Sequence, residues 1–264
     1  MGTKIQRSKE NRHRKNQVFE KNGYTESSQQ THNKYKDTFG IKDITLSNKQ
    51  KDFQDVLRDN ILTFVEGPAG VGKSLAAFHY AVQKYMEEPS TQIIVIRTPV
   101  EAGSDKIGFL PSDLKDKLEP HFSSTKLLLE TLLSPDKVQA DMEGRYKRIQ
   151  FLIPNYAIGA TWDNAIICID EAQQIQPLIM KLLLERIGVN SKVIVMGDPS
   201  QVYVGTKDRH GMRDAMSKFF QVDDAGELQA LYPDIGYFKF EAKDCMRSDI
   251  VKTVIEAYSK NPVK

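Results

Sequence analysis

Short apolar segments alternate with longer amphipathic segments along most of this chain of 264 residues. From about Ile41, the short segments are rich in β-branched or aromatic residues, which is typical of strands, and the longer ones repeat apolar residues at helical spacing. Strands that alternate with helices predict an α/β fold around a mostly parallel sheet, flanked by helices. The predicted strands are 61–66, 92–97, 165–170, 192–197 and 237–240, and the predicted helices are 74–86, 177–187 and 250–259.

The amino-terminal segment departs from this alternation. Residues 1–45 are predicted to form a basic, flexible arm, because residues 1–21 carry a net charge of +5 against +2 for the whole chain. Few side chains in the arm are apolar, too few to offset the entropy cost of ordering it. Such an arm either neutralises nucleic-acid phosphates or is a solvated leader without a partner.

The remainder, 46–264, is predicted to be a single domain with one insertion at about 100–164. The insertion contains a loop marked by glycine and proline, a leucine-rich helix near 126–133 and a strand-like segment at 148–153. Helical periodicity predicts that the insertion packs onto the sheet through Leu114, Leu118, Leu128 and Leu132.

Composition and apolar run length exclude several classes of protein. With 40% hydrophobic and 27% charged residues, the chain is typical of globular proteins with a sizeable core. The longest apolar run, 165–169, is far shorter than the roughly 20 residues of a membrane-spanning helix. The amino terminus lacks the apolar segment of a secretory signal, so we expect a cytoplasmic protein. The two cysteines are too few for a disulfide scaffold and are predicted to be buried free thiols.

A glycine-rich loop lies between the first predicted strand and the helix that follows it. It matches the phosphate-loop pattern, a glycine, four residues and then Gly-Lys-Ser/Thr, in the place that this pattern requires. Backbone N–H groups turned inward by the glycines, together with the dipole of the following helix, are suited to bind phosphate oxygens. The predicted nucleotide-binding residues are Gly67, Pro68, Ala69, Gly70, Val71, Gly72, Lys73 and Ser74.

The side chains of this loop and of a later strand end suit phosphate chemistry. Lys73 is able to reach the β- and γ-phosphate oxygens, and the Ser74 hydroxyl is an oxygen ligand of the kind that Mg²⁺ prefers. Asp170 and Glu171 end an apolar strand, which places them at the sheet edge where ligands collect. We predict that Asp170 holds Mg²⁺ through a water molecule and that Glu171 orients or deprotonates the attacking water. The alternative is an acidic pair that favours the start of a helix.

Gln201 follows the predicted strand 192–197 through a Gly-Asp-Pro-Ser segment. Because that strand ends at the same sheet edge, Gln201 is a candidate to sense the γ-phosphate and signal hydrolysis. The alternative is an ordinary turn built from glycine, aspartate, proline and serine.

These motifs resemble those of a known family in their order as well as in their residues. The segments 67–74, 170–173 and 197–201 resemble the superfamily 1 helicase branch of phosphate-loop ATPases. Three further segments are similar to the PhoH family: Arg97-Thr-Pro-Val-Glu-Ala-Gly103, Gly108-Phe-Leu-Pro-Ser-Asp-Leu114 and Arg186-Ile-Gly-Val-Asn-Ser-Lys192. The resemblance runs from about Leu46 to Tyr258.

The resemblance implies a RecA-like core, ATPase activity with ATP and Mg²⁺, an RNA helicase activity on RNA or single-stranded nucleic acid, and a hexameric ring. It implies that Gln50 reads adenine and that Arg186 and Arg247 are the family arginines. Transition-state charge in phosphoryl transfer is often stabilised by an arginine, and these two are favoured over Arg97 and Arg209. The chain departs from the family at 158–161, where Ile-Gly-Ala-Thr replaces Arg-Gly-Arg-Thr and two positive charges are lost.

Two other functions remain open beside a nucleic-acid-stimulated ATPase. One is a nucleotide-switched oligomeric binding module with little turnover, and the other is a small-molecule kinase. Since the chain has room for one RecA-like core and not two, we predict that an identical neighbouring chain completes the ATP site. Residues of the insertion either contact nucleic acid or form a solvated face and core: Lys106, Phe109, Lys115, Lys117, Phe122, Lys126, Lys147 and Arg148.

Overall fold

A computed structural model of the protein describes residues 43–99, 114–199, 201–202 and 210–260, with the backbone alone at 114–118 and 259–260. These residues belong to one compact unit, Ile41–Lys264. Several predictions lie outside the described residues: the arm as far as residue 42, the loop of the insertion, the candidates Lys106, Phe109 and Arg209, and the side chains of Leu114, Lys115, Lys117 and Leu118.

Helices and strands alternate through the described part of the chain. In chain order they are α1 (Asn48–Asp59), β1 (Leu62–Glu66), α2 (Lys73–Glu87), β2 (Gln92–Arg97), α3 (Leu114–Leu132), α4 (Pro135–Glu143), β3 (Ile149–Leu152), α5 (Pro154–Ala157), β4 (Ala165–Asp170), α6 (Pro177–Leu184), β5 (Lys192–Gly197), α7 (Gly211–Phe219), β6 (Phe220–Val222), β7 (Leu228–Ala230), β8 (Ile235–Lys239) and α8 (Asp249–Lys260). Short 3₁₀ helices lie at Ala172–Gln174 and Ala242–Asp244.

Six of these strands form one sheet in the order β3-β2-β4-β5-β1-β8, and every neighbouring pair is parallel. The predicted α/β fold is therefore confirmed. Strand β5 lies between β1 and β4, so the residues after β5 emerge between the glycine-rich loop and the acidic pair. Strand β3 comes from the insertion and forms one edge of the sheet, so the insertion extends the sheet as well as packing on it.

Helices cover both faces of the sheet, which explains why its central strands are continuously apolar. Helices α1, α2 and α3 contribute Phe53, Phe78 and Leu129 to the core on one face. Helices α6 and α7 contribute Met180 and Met212 to the core on the other face. The predicted helix near 126–133 is in fact much longer and begins at Leu114, whereas the helix predicted to reach residue 187 ends at Leu184.

Two candidates for nucleic-acid contact in the insertion are instead engaged within the fold. The Arg148 guanidinium donates to the carbonyl oxygens of Tyr85 at 2.8 Å and Thr91 at 3.0 Å and stacks on the Tyr85 ring. Phe122 is buried and packs edge-on against Phe151. Phe122 therefore matches the core alternative, whereas Arg148 is held by backbone carbonyls and a ring and belongs to neither predicted surface.

The described residues also show the state of the two cysteines and whether a helix could span a membrane. Cys168 and Cys245 are buried and free, as predicted. None of the helices in the described part of the chain is both long and apolar enough to span a membrane.

Candidate nucleotide-binding site

A cavity of about 360 Å³ opens at the carboxyl ends of the central strands. Its walls come from the loop after β1, the ends of β2, β4 and β5, helix α3 of the insertion, and the segment after β8. This is the edge of a parallel sheet at which ligands collect. The predicted site residues that line it are Ala69, Gly70, Gly72, Lys73, Ser74, Asp170, Glu171, Gln201 and Arg247. Those that do not line it are Gln50, Gly67, Pro68, Val71 and Arg186.

The glycine-rich loop is shaped by close packing at its start and by an open helix terminus at its end. A Cβ atom at Gly67 would lie 2.7 Å from the Cβ of Phe240, so a larger residue would push the loop from its support. Gly72 precedes α2 with a left-handed φ of 83° and makes no side-chain cap. The first N–H groups of α2 are therefore left for a ligand, and an anion is the ligand that they favour.

Lys73 lies at the start of α2 and points back into the loop. Its Nζ donates to the carbonyl oxygens of Gly67 and Pro68, the latter at 3.0 Å. Burial lowers the pKa of Lys73, and three nearby carboxylates act in the opposite direction. The ammonium group is thus partly desolvated and paired with neutral oxygens, which are weaker partners than phosphate oxygens.

The two carboxylates after β4 share one guanidinium. Arg97 Nη1 lies 3.5 Å from Asp170 Oδ2, and Arg97 Nη2 lies 3.4 Å from Glu171 Oε1. Burial raises the pKa of Asp170, and the Arg97 charge offsets part of that increase. Glu171 has a left-handed φ of 52°, an uncommon conformation for a residue with a side chain. Both acids of this consecutive pair consequently face the cavity.

Gln173 is a site residue that the sequence analysis did not identify. Its side chain is fully buried, its Nε2 donates to Glu171 Oε2 at 2.6 Å, and its Oε1 accepts from the backbone N–H of Asp198 at 3.2 Å. Gln173 therefore orients Glu171 and joins the end of β4 to the end of β5. The available signal was its place in the Asp-Glu-Ala-Gln segment, where the two acids alone were assigned roles.

Gln201 reaches the same cavity from β5. Its Nε2 donates to Asp198 Oδ2 at 2.8 Å, and its backbone carbonyl accepts from Gln174 Nε2 at 2.7 Å. Gln201 thus lines the cavity that the acidic pair and the glycine-rich loop also line, at the strand end for which the sequence predicts a γ-phosphate sensor.

The two favoured arginines occupy different ends of the sheet. Arg247 lines the cavity, and a Cβ atom at Gly70 would lie 2.8 Å from its Cδ. The backbone carbonyl of Arg186 accepts from Trp162 N–H, which precedes the start of β4. Strand β4 spans roughly 16 Å, so Arg186 lies beyond reach of the cavity in its own chain. Arg247 is placed to act within the chain, and Arg186 is not.

Gln50 belongs to α1 and contacts the glycine-rich loop without lining the cavity. It is fully buried, its Oε1 accepts from Ser47 N–H at 3.0 Å, and its Nε2 donates to the Val71 carbonyl at 3.4 Å. The Ser47 hydroxyl in turn accepts from the Gln50 N–H, which completes a capping box at the start of α1. The amide therefore holds the loop to α1, and the adenine contact implied by the resemblance stays a prediction.

We expect Gln50→Ala to weaken ATP and GTP binding by the same factor, about three- to tenfold, because the Val71 carbonyl loses its support. Titration with fluorescent ATP and GTP analogues measures both affinities. The neighbouring exposed Lys51→Ala is the matched control and is expected to change neither. A selective loss of ATP affinity in Gln50→Ala would show that the side chain reads adenine instead.

The donor set fits a nucleoside triphosphate with Mg²⁺. The uncapped start of α2 and the buried Lys73 ammonium suit phosphate groups. Ser74 and Asp170 both present oxygen atoms to the cavity and would hold the cation, which keeps its other sites for water and phosphate.

Comparisons with known proteins identify the family to which the chain belongs. The family described as PhoH-like protein matches residues 43–259. The chain is 33% identical over 211 residues to a PhoH-like protein of Bacillus subtilis, covering 80% of this chain and 62% of that protein. It is 30% identical over 213 residues to a PhoH-like protein of Synechocystis, covering 81% and 61% respectively. The chain belongs to the PhoH family.

As a PhoH-family chain it has a P-loop NTPase fold, and the match spans about three fifths of the length of these two relatives. The protein PhoH of Escherichia coli is 30% identical over 198 residues, which cover 75% of this chain and 53% of that protein. Among solved structures, the chain is similar to the Pyrococcus furiosus Hef helicase domain, with a TM-score of 0.42 and 12% identity over 72% of this chain and 37% of that one. Unliganded Pif1 from Bacteroides is similar with a TM-score of 0.33 and 15% identity over 84% and 47%.

Proposed function

We propose that this PhoH-family chain binds ATP with Mg²⁺ and hydrolyses it, and that turnover is coupled to RNA or single-stranded nucleic acid. One observation carries the proposal: a single cavity collects Lys73, Ser74, Asp170 and Glu171 at the carboxyl ends of β1 and β4, the two parallel strands that flank β5. A site that only bound nucleotide would not need a second carboxylate beside the first.

Each side chain has a distinct task in this proposal. Lys73 binds the β- and γ-phosphate oxygens, and Ser74 and Asp170 hold the cation, which neutralises charge on those oxygens. Glu171, oriented by Gln173, aligns the attacking water and accepts its proton. Gln201 registers loss of the γ-phosphate.

Arg247 supplies positive charge to the transition state within its own chain. Arg186 takes that role only if a second copy of the chain brings it to the cavity, as a ring of identical chains would allow. Support for nucleic-acid coupling comes from the motif order that 170–173 and 197–201 share with superfamily 1 helicases.

The test is ATP turnover by the purified full chain of known oligomeric mass, with and without single-stranded RNA and DNA. We expect hydrolysis that EDTA abolishes and that at least one nucleic acid stimulates several-fold. Tailed RNA and DNA duplexes then report strand separation separately. Absence of Mg²⁺-dependent turnover under every condition would refute the proposed enzyme.

A nucleotide-switched binding module is the second candidate, and one observation favours it. Glu171 is held by both Arg97 and Gln173, so its carboxylate is already engaged. If turnover stays minimal with and without nucleic acid while nucleotide changes the oligomeric mass, this function replaces the first.

A further inference from the structure

Within the described part of the chain, Arg97 makes three polar contacts at the wall of the cavity. Besides its two ion pairs with Asp170 and Glu171, its Nη1 donates to the Ser124 hydroxyl at 3.2 Å. Ser124 belongs to helix α3 of the insertion, which lines the cavity beside the strand ends. One guanidinium therefore connects β2, the acidic pair after β4, and the insertion.

Strand pairing fixes this arrangement. Arg97 is the last residue of β2, and its partner in the parallel register with β4 is Asp170. The two side chains consequently leave the sheet side by side. They are 22% and 11% exposed, so water screens their attraction only in part.

The contact with Asp170 is one that a bound cation would disturb. Asp170 is the carboxylate that suits Mg²⁺, and Arg97 is the positive group now nearest to its Oδ2 atom. A dication held by Asp170 and a guanidinium at this distance repel each other, so binding of the cation weakens the contact between Arg97 and Asp170. The same Nη1 atom contacts both Asp170 and the Ser124 hydroxyl, so displacing it from Asp170 also draws it from Ser124, whereas Glu171 remains as a partner of Nη2.

We infer that Arg97 is a positioning residue that ties helix α3 to the acidic pair, and that Mg²⁺–nucleotide binding displaces it from Asp170 and so loosens α3 around Ser124. The inference rests on the proposed function, because it requires the cation to occupy Asp170. It gives the insertion a role that the sequence did not assign: reporting the state of the nucleotide site. The buried Phe122 and Leu129 keep α3 docked, so the loosening is confined to the turn between them.

The first experiment measures how much Mg²⁺ is needed for half-maximal binding of a fluorescent, non-hydrolysable ATP analogue. We expect Arg97→Met, which retains most of the aliphatic stem, to lower this concentration about five- to tenfold because the competing charge is gone. For Arg97→Lys, the Mg²⁺ concentration for half-maximal binding is expected to lie between the values for Arg97→Met and the wild type. Ser123→Ala is the matched control, since Ser123 is exposed and its hydroxyl donates within α3 to the Pro120 carbonyl.

The second experiment measures hydrogen–deuterium exchange of α3 in the full chain. In the wild type we expect Mg²⁺ with the analogue to speed exchange near Ser124 about threefold, and the analogue with EDTA to leave it unchanged. In Arg97→Met, exchange near Ser124 should be fast with the analogue and Mg²⁺ and equally fast with the analogue and EDTA. Thermal unfolding of each variant checks that the fold is intact.

The possible outcomes separate this inference from the proposed function. If the wild type binds no Mg²⁺–nucleotide, both are refuted. If it binds and hydrolyses ATP while Arg97→Met keeps the wild-type Mg²⁺ dependence, or while wild-type exchange near Ser124 stays constant or slows, the inference alone is overturned.

Discussion

Replacing Glu171 by glutamine (Glu171→Gln) is expected to lower kcat for ATP about a thousandfold and to leave KM within about threefold. The substitution keeps the shape of the side chain but removes the carboxylate that, in the proposed mechanism, accepts the proton of the attacking water. In the proposed mechanism, the glycine-rich loop and Lys73 provide most of the nucleotide binding. Steady-state turnover over a range of ATP concentrations gives both constants.

Glu185→Gln is the matched control for this prediction. Glu185 is exposed and pairs with Lys181 on the surface, so its loss is expected to leave both constants unchanged. Wild-type turnover in Glu171→Gln would contradict the assigned role. Loss of binding together with turnover would instead assign Glu171 to holding the nucleotide.

Replacing Lys73 by methionine (Lys73→Met) is expected to weaken ATP binding at least about a hundredfold while shifting the unfolding temperature by only a few degrees. The ammonium group is the proposed positive partner of the phosphates, and such charge-assisted bonds are strong. The folded protein gains little from this charge in the absence of nucleotide, because burial lowers the pKa of Lys73. Calorimetric titration and thermal unfolding measure the two effects.

The pH dependence of the free energy of unfolding gives a second test of the same substitution, because its direction is predicted. As the pH rises from the lowered pKa of Lys73 toward its ordinary value of 10.5, the unfolded chain keeps the proton that the folded chain has lost. This single group therefore makes the free energy of unfolding increase with pH over that interval, and Lys73→Met lacks the increase. Lys84→Met, on the exposed face of the same helix, is the control and should retain ATP affinity. Tight ATP binding by Lys73→Met would refute the assignment.

The strands were predictable because each is a short apolar run bounded by turn residues. The segments 92–97, 165–170 and 192–197 coincide with the observed strands. The helix of the insertion was harder to predict, since Pro120 and several charged residues obscure the periodicity of its first half. Short elements such as α7 and the β6–β7 hairpin were missed because few residues carry their pattern.

The candidate site likewise contains residues that local motifs predict and residues that only the fold brings together. Lys73, Ser74, Asp170 and Glu171 were predictable because local motifs at strand ends fix both their chemistry and their position along the sheet edge. Strand order and register bring Gln173 within hydrogen-bond reach of Asp198, and Arg97 within reach of Asp170. Arg148 is likewise an ordinary charged residue in the sequence, and only the fold places backbone carbonyls around its guanidinium.

The sequence by itself determined the α/β class, the parallel sheet and the phosphate-binding loop, because apolar periodicity and glycine spacing are local properties of the chain. The tertiary structure alone decided that Arg247 lies at the cavity, that Arg186 lies at the far end of the sheet, and that Arg97 joins the insertion to the acidic pair. The physical reason is that hydrogen bonds and ion pairs depend on distances of a few ångströms, and those distances are set by which strands become neighbours.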